Sequence, residues 1–294
     1  MKTPVFTGSG VALVTPFKGD FINFDKLAQL IDIQIENGTS AIIACGTTGE
    51  ASTLSIPEHM SVVEFVVNHV NKRIPVVAGT GSNDTKDALH MSRLAEELGA
   101  DGLLIVTPYY NKTTQTGLVK HFETIAGAVK IPIILYNHPG RSGFGFTSET
   151  YEAMSRVPNI NGVKEASGDF SLIAQTRALC GDDLNIWSGD DDNTLPILAM
   201  GGKGVISTTA NVVPRMMSDL CRLFFEGEIE KAQSVAISLQ RLFDALFVEV
   251  NPIPVKTALN LMGLDVGHLR MPLCNMNDEQ VAVLRNVLRE YELC

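Results

Sequence analysis

The chain has 294 residues, 45% of them hydrophobic and 19% charged, with a formal net charge of −10. That length and apolar content suit one large globular domain or two small ones, and the acidic balance argues against duplex nucleic acid or an anionic membrane as a partner, since both reward clustered Lys and Arg. No apolar run approaches the roughly 18 residues of a membrane helix, MKTPVFTGSG lacks the basic-then-apolar layout of a signal peptide, and five cysteines without CxxC spacing read as reduced thiols; the expectation is a soluble cytoplasmic protein.

Along the chain, short Val/Ile/Leu-rich runs alternate with longer stretches of 3.6-residue period. This is the pattern of a parallel strand buried on both faces and followed by its crossover helix. The strand candidates are GVALVTP (10–16), SAIIACG (40–46), PVVAGTG (75–81), GLLIVTP (102–108), PIILYN (132–137), INGVKEA (160–166), LNIWSG (184–189) and KGVIST (203–208). Helical patterns such as DKLAQLIDIQIENG and TKDALHMSRLAEELG lie between them, each expected to open on an Asp or Thr cap and close on Gly. Eight such units, spaced roughly 25–30 residues apart, predict an α/β fold of the (β/α)8 TIM barrel type. A doubly wound open sheet is the alternative; near-equal units with no composition break favour closure. After about residue 227 the strands stop, and EIEKAQSVAISLQRLFDALFVEV, PVKTALNLMG and NDEQVAVLRNVLREYE read as a C-terminal three-helix appendage. The expected division is a barrel over 1–227 and a helical extension over 228–294, the latter an oligomer contact or a lid.

In such barrels the chemistry sits at the C-terminal strand ends. Those ends carry Gly46-Thr47-Thr48-Gly49-Glu50, Pro108-Tyr109-Tyr110-Asn111, Tyr136-Asn137-His138-Pro139-Gly140-Arg141, Lys164-Glu165 and Gly189-Asp190-Asp191. Lys164 stands out because its strand runs into the barrel interior. Lost hydration disfavours the ammonium and can lower its pKa by up to roughly 3–5 units, leaving an amine able to attack a carbonyl and form a Schiff base. The iminium of a 2-keto acid is an electron sink, so a proton can leave the adjacent carbon to give an enamine that adds to an aldehyde. Such a route needs proton carriers: Tyr136 one strand away, with Thr47 and Tyr110 extending a relay outward. Arg141 offers a planar fork for a carboxylate.

Each residue also has a plainer reading. Lys164 can be a solvated strand end, Tyr136 and Tyr110 aromatic plugs, Thr47-Thr48 a helix cap, Arg141 a surface ion-pair member and His138 a loop residue. Their arrival at one rim carries the catalytic reading. The six histidines form no HExxH pair, Cys, His and carboxylates do not cluster at ligand spacing, and no Walker A pattern or third dinucleotide glycine occurs, so neither a metal nor a nucleotide cofactor is expected.

The segments GTTGE, TPYYNK, YNHPGR, GVKEASGD, SGDD and NPIPVKTAL, in this order across the whole chain, resemble the dihydrodipicolinate synthases of the N-acetylneuraminate lyase family. The resemblance implies condensation of pyruvate with aspartate 4-semialdehyde on the route to diaminopimelate and lysine, with no cofactor beyond the covalent Schiff base. It implies Lys164 as the Schiff-base lysine, Tyr136 as proton donor and acceptor, and Thr47 with Tyr110 as the relay, Tyr110 reaching into a neighbouring subunit. Thr48 would bind the pyruvate carboxylate, Ile206 and Gly189 would belong to the substrate pocket, and Arg141 would hold the semialdehyde carboxylate. A homotetramer of two tight dimers is implied as well. The alternative is a sibling pyruvate-dependent aldolase or lyase acting on a sugar acid; Thr47-Thr48 and Pro139-Gly140-Arg141 favour the synthase. His138, where Val or Ile is common, and Ser142, where threonine is usual, depart from the pattern at the mouth. His59, Asn83 and Tyr109 match positions that bind inhibitory lysine in family members, whereas Ile56, Ala51 and Asp87 replace the usual histidine, serine and glutamate, so weak or absent lysine inhibition is expected.

Overall fold

The computed structural model describes residues 1–294. The chain opens with β1 (Gly8–Ala12), a two-residue-stranded hairpin of β2 (Phe17–Lys18) and β3 (Phe21–Ile22), α1 (Phe24–Glu36), β4 (Ala41–Ala44), α2 (Ile56–Val70), β5 (Val76–Gly79) and α3 (Thr85–Glu97). It continues through β6 (Gly102–Val106), α4 (Gln115–Ala126), β7 (Ile133–Asn137), the single turn α5 (Pro139–Ser142), α6 (Ser148–Ser155), β8 (Ile160–Glu165) and α7 (Phe170–Cys180). Then come β9 (Asn185–Ser188), α8 (Thr194–Ala199), β10 (Gly204–Ser207), α9 (Pro214–Phe225) and the C-terminal helices α10 (Ile229–Leu246), α11 (Ile253–Leu261) and α12 (Asp278–Glu290). Eight strands close into a parallel barrel in the order β1-β10-β9-β8-β7-β6-β5-β4, so all eight expected strands are present.

Two cores explain why the strands read as continuous apolar runs. Side chains of a strand alternate between faces, and here both faces are dry. Ile134 and Tyr136 of β7 point into an inner cluster with Ile43, Val77, Trp187 and Ile206, while Ile133 and Leu135 join the layer between barrel and helices. Trp187 stacks on Phe6 at 5.2 Å between ring centroids, filling the barrel interior. The outer layer also takes in Leu239 and Leu242 of α10, Val255 of α11 and Leu284 of α12, so the C-terminal helices share one continuous core with the barrel.

The structure departs from the sequence reading in small ways with clear causes. The caps lie one or two residues earlier than expected: Asn23 accepts from the Lys26 amide at α1 and Asp84 from the Lys86 amide at α3. Asp25 instead sits in the first turn of α1, where a carboxylate favours the positive end of the helix dipole. Gly38 and Gly99 follow the two helices with φ of 83° and 92°, as expected for terminating glycines. The β2–β3 hairpin escaped notice because two-residue strands carry no periodicity.

Candidate active site

β7 and β8 pair in parallel with Tyr136 opposite Lys164. Both side chains therefore enter the barrel at the same level, and the Lys164 Nζ lies 4.6 Å from the centre of the Tyr136 ring. Each is almost fully buried, at 6% and 7% exposure. Burial lowers the Lys164 pKa from its ordinary 10.5 to about 8; Asp190 and Asp191 oppose that shift and Arg141 adds to it. The same burial pushes the Tyr136 phenol up to about 12, with Arg141 and a hydrogen-bonding Thr47 side chain pulling the other way. A lysine that loses its proton within reach of ordinary pH, beside a phenol that keeps its own, suits nucleophilic attack coupled to proton transfer.

Glycine is dictated beside the lysine. A Cβ on Gly189 would stand 2.6 Å from the Ala166 methyl and 3.1 Å from the Lys164 Cε, so a side chain there would displace the amine. Ile206 is fully buried in the inner cluster with Tyr136 and forms part of the apolar floor. Thr47 and Thr48 sit in the loop after β4; Thr47 lines the pocket around Lys164, and Thr48 is 2% exposed with its hydroxyl 3.3 Å from that of Thr208. Arg141, on α5, is exposed at the rim and makes no ion pair; its side chain donates to the Asn251 carbonyl at 3.3 Å.

The sequence reading missed Asn251 as a site residue, although NPIPVKTAL contains it. Its amide donates to the Thr48 hydroxyl at 3.0 Å, its carbonyl accepts from Arg141, and its Oδ1 is buried without a partner. Asn251 thus joins the two groups expected to hold the two substrate carboxylates. Lys256 was missed too. This α11 residue is 1% exposed and donates to Glu50 Oε1 at 2.7 Å, to the Thr15 carbonyl at 3.1 Å and to the His268 carbonyl at 2.6 Å. Glu50 adopts φ 55°, so the buried pair pins the loop carrying Thr47 and Thr48 in a left-handed turn. Through both contacts the C-terminal extension reaches the barrel mouth.

Tyr110 is not brought to Lys164 within its own chain: it is 90% exposed, with φ 68°. It stands with Tyr109, Ala51, Ile56, His59 and Asp87 along an outer cleft of about 760 Å³, which Thr47, Tyr136 and Arg141 also line. His59 is buried, with Nε2 2.7 Å from the Gly79 carbonyl, and the Asn83 carbonyl accepts from the Asn111 side chain. His138 lies at 6.0 Å, edge-on to Tyr136, and burial with the neighbouring cations Arg141 and Lys164 holds its pKa at about 4, so it is neutral. Ser142 spends its hydroxyl on the carbonyls of His138 and Phe144. No three His, Cys, Asp or Glu side chains gather in a metal-binding arrangement, and no helix is long and apolar enough to cross a membrane.

Comparison with known proteins gives concordant results. The 4-hydroxy-tetrahydrodipicolinate synthase of Thermoanaerobacter sp. is 52% identical over 291 residues, covering 99% of this chain and 98% of the relative. That of Acetivibrio thermocellus is 48% identical over the full length of both. The crystal structure of dihydrodipicolinate synthase from Thermotoga maritima superposes with a TM-score of 0.96 at 43% identity, covering 99% of this chain and 100% of that one. The sequence model described as "Dihydrodipicolinate synthetase family" matches residues 5–291, and with it the chain belongs to that family.

Proposed function

We propose that this chain is a 4-hydroxy-tetrahydrodipicolinate synthase, a lyase that condenses pyruvate with L-aspartate 4-semialdehyde through a Schiff base on Lys164, in diaminopimelate and lysine biosynthesis. The observation that carries the reading is the placement of Lys164, buried in the barrel opposite Tyr136 with its Nζ 4.6 Å from the ring centre; burial there lowers its pKa to about 8. The neutral amine attacks the pyruvate keto carbon, and Tyr136 supplies and recovers the protons as water leaves. Loss of a methyl proton gives the enamine, whose carbon adds to the semialdehyde carbonyl. The semialdehyde's own amino group then displaces Lys164 and closes the ring, returning the lysine to its starting state. No cofactor enters: every proton moved has a carrier in Tyr136, Thr47 or Tyr110.

Thr48 with its surrounding backbone takes the pyruvate carboxylate, Gly189 leaves room for the lysine arm, and Ile206 floors the pocket. Arg141, free of any carboxylate partner, is placed at the rim to meet the anionic second substrate. The family resemblance implies a homotetramer of tight dimers in which Tyr110 completes the adjacent site, and its 90% exposure leaves the ring free to do so; a monomeric mass by light scattering at assay concentration overturns that part. The cytoplasm is the compartment in which both substrates and five unpaired cysteines are at home.

The deciding experiment is reduction with borohydride in the presence of pyruvate. A pyruvyl adduct on the Lys164 peptide is expected, together with turnover of aspartate semialdehyde; an unlabelled Lys164 peptide refutes the reading.

A further inference from the structure

One rung beyond Tyr136 and Lys164, β7 and β8 place Asn137 opposite Glu165. Alternation along the strands turns this second pair to the outer face, away from substrate. Glu165 is 3% exposed there. Its Oε2 accepts from the Tyr151 hydroxyl at 2.6 Å and from the Asn137 amide at 3.1 Å; its Oε1 accepts from the same amide at 3.0 Å and from the Ser167 amide at 2.9 Å. No Lys, Arg or His is among these donors.

A backbone N–H and a side-chain amide NH2 can only donate, so Oε1 is set to accept; burial raises the Glu165 pKa, and the hydrogen bonds from Tyr151, Ser167 and Asn137 pull against that shift in favour of the carboxylate. Holding such a charge in an apolar layer without a cation is unfavourable unless hydrogen bonds satisfy it. An apolar residue would serve packing alone at less cost, so the cluster calls for another account. The charges that act most on the Lys164 amine are Asp190, Asp191 and Arg141, so Glu165 is not its main electrostatic tuner.

Position is what remains. Three elements meet at the carboxylate: α6 through Tyr151, whose ring is stacked on Phe146 at 4.6 Å, β7 through Asn137, and β8 itself. Asn137 also accepts from the Phe146 amide at 3.4 Å, which fixes the return of the loop bearing Arg141. We propose that Glu165, gripped by Asn137 and Tyr151, is a positioning residue that holds Tyr136 and Lys164 at the mutual placement the proton relay needs. This rests on the assignment of Lys164 and Tyr136 made above. A displacement of about 1 Å between reacting groups can lower a rate roughly a hundredfold, so small loosening of this rung has a large readout.

The test is Glu165→Gln, whose NH2 cannot accept from Asn137 and forces the Tyr151 hydroxyl to accept where it had donated, loosening the rung without changing its size. The expected result is a fall in kcat of about tenfold or more, with pyruvate KM and the final extent of borohydride trapping on Lys164 retained. The pH midpoint of trapping should stay close to the parent's, since burial, Asp190, Asp191 and Arg141 dominate the amine's pKa. Reversing the polarity with Asn137→Asp plus Glu165→Gln restores one donor facing one acceptor and should recover much of kcat. Parent-like kcat in folded Glu165→Gln overturns the proposal, as does a shifted trapping midpoint, loss of trapping along with turnover, or a double variant with no recovery. Should Glu165→Gln fail to fold, Tyr151→Phe removes one donor only; it is expected to lower kcat with trapping intact, and parent-like kcat there also overturns the clamp. Absence of trapping in the parent enzyme is a different failure, that of the Schiff-base reading itself.

Discussion

Replacing Lys256 by methionine removes one half of a fully buried ion pair while keeping an unbranched side chain over Phe17, whose ring centre lies 4.3 Å from the ammonium. Side-chain exposure is 1% for Lys256 and 0% for Glu50, so no water is at hand to replace the lost donor. Glu50 would keep only the Arg270 amide on Oε2 at 2.9 Å, and the carbonyls of Thr15 and His268 would each lose a donor. Breaking a buried pair from one side costs about 3–5 kcal/mol. For a chain of this size each kcal/mol lowers the midpoint of thermal unfolding by roughly 2 °C, so a fall of roughly 6–10 °C is expected. Activity should drop as well, because Glu50 occupies a left-handed conformation that itself costs about 1–2 kcal/mol and is held by this pair two residues after Thr48. The control is Glu50→Gln combined with Lys256→Met. Removing the orphaned charge should recover more than half of the loss, since a buried pair replaced by neutral groups is often close to neutral in stability. An unfolding midpoint for Lys256→Met within about 2 °C of the parent, or a double variant no better than the single, refutes the reasoning.

Two further outcomes follow from the site. In the proposed mechanism the neutral form of Lys164 is the nucleophile and its fraction grows with pH, so the rate of borohydride-trapped adduct formation should rise through about pH 8 and level off above it. Asp190→Asn removes a charge that stabilises the ammonium, so it should move that midpoint downward; a midpoint near the ordinary lysine value, or an upward move, contradicts the electrostatic picture. L-Lysine should inhibit weakly or not at all, because Ile56 and Ala51 line the outer cleft without offering a polar contact and one His59 nitrogen is already engaged with the Gly79 carbonyl. A micromolar inhibition constant in a steady-state assay rules that out.

The barrel was legible because its strands are buried on both faces, which converts each into a short apolar run that the helical period around it cannot imitate. The weaker signals were those that depend on one residue's geometry. Whether Asn23 or Asp25 caps α1 turns on where the backbone leaves the helix, and both residue types serve as caps. The meeting of Lys164 and Tyr136 was readable by position, since each lies at the end of an apolar strand, and the closed barrel makes such strand ends converge. Tyr110 shows the limit of that logic: it too follows a strand, but its loop turns outward, leaving the ring in solvent.

What the sequence concealed are contacts across long stretches of chain. Asn251 meets Thr48 across 203 residues, and Lys256 meets Glu50 across 206; no local period connects them. A trace was present nonetheless, because the lysine stands alone in the apolar run of PVKTALNLMG, where its neighbours Val255, Ala258 and Leu259 are buried. The same reasoning that marked Lys164 applies to it, with the opposite outcome. Burial lowers the pKa of both, but Lys164 makes no hydrogen bond or ion pair and falls to about 8, whereas Lys256 touches a carboxylate that opposes the shift and two carbonyls, which together spend all three of its donors. A buried lysine is therefore reactive or structural according to whether its protons are spoken for. In this chain one loop meets both, its Thr47 and Thr48 lining the pocket of the lysine proposed to react and its Glu50 held by the structural one.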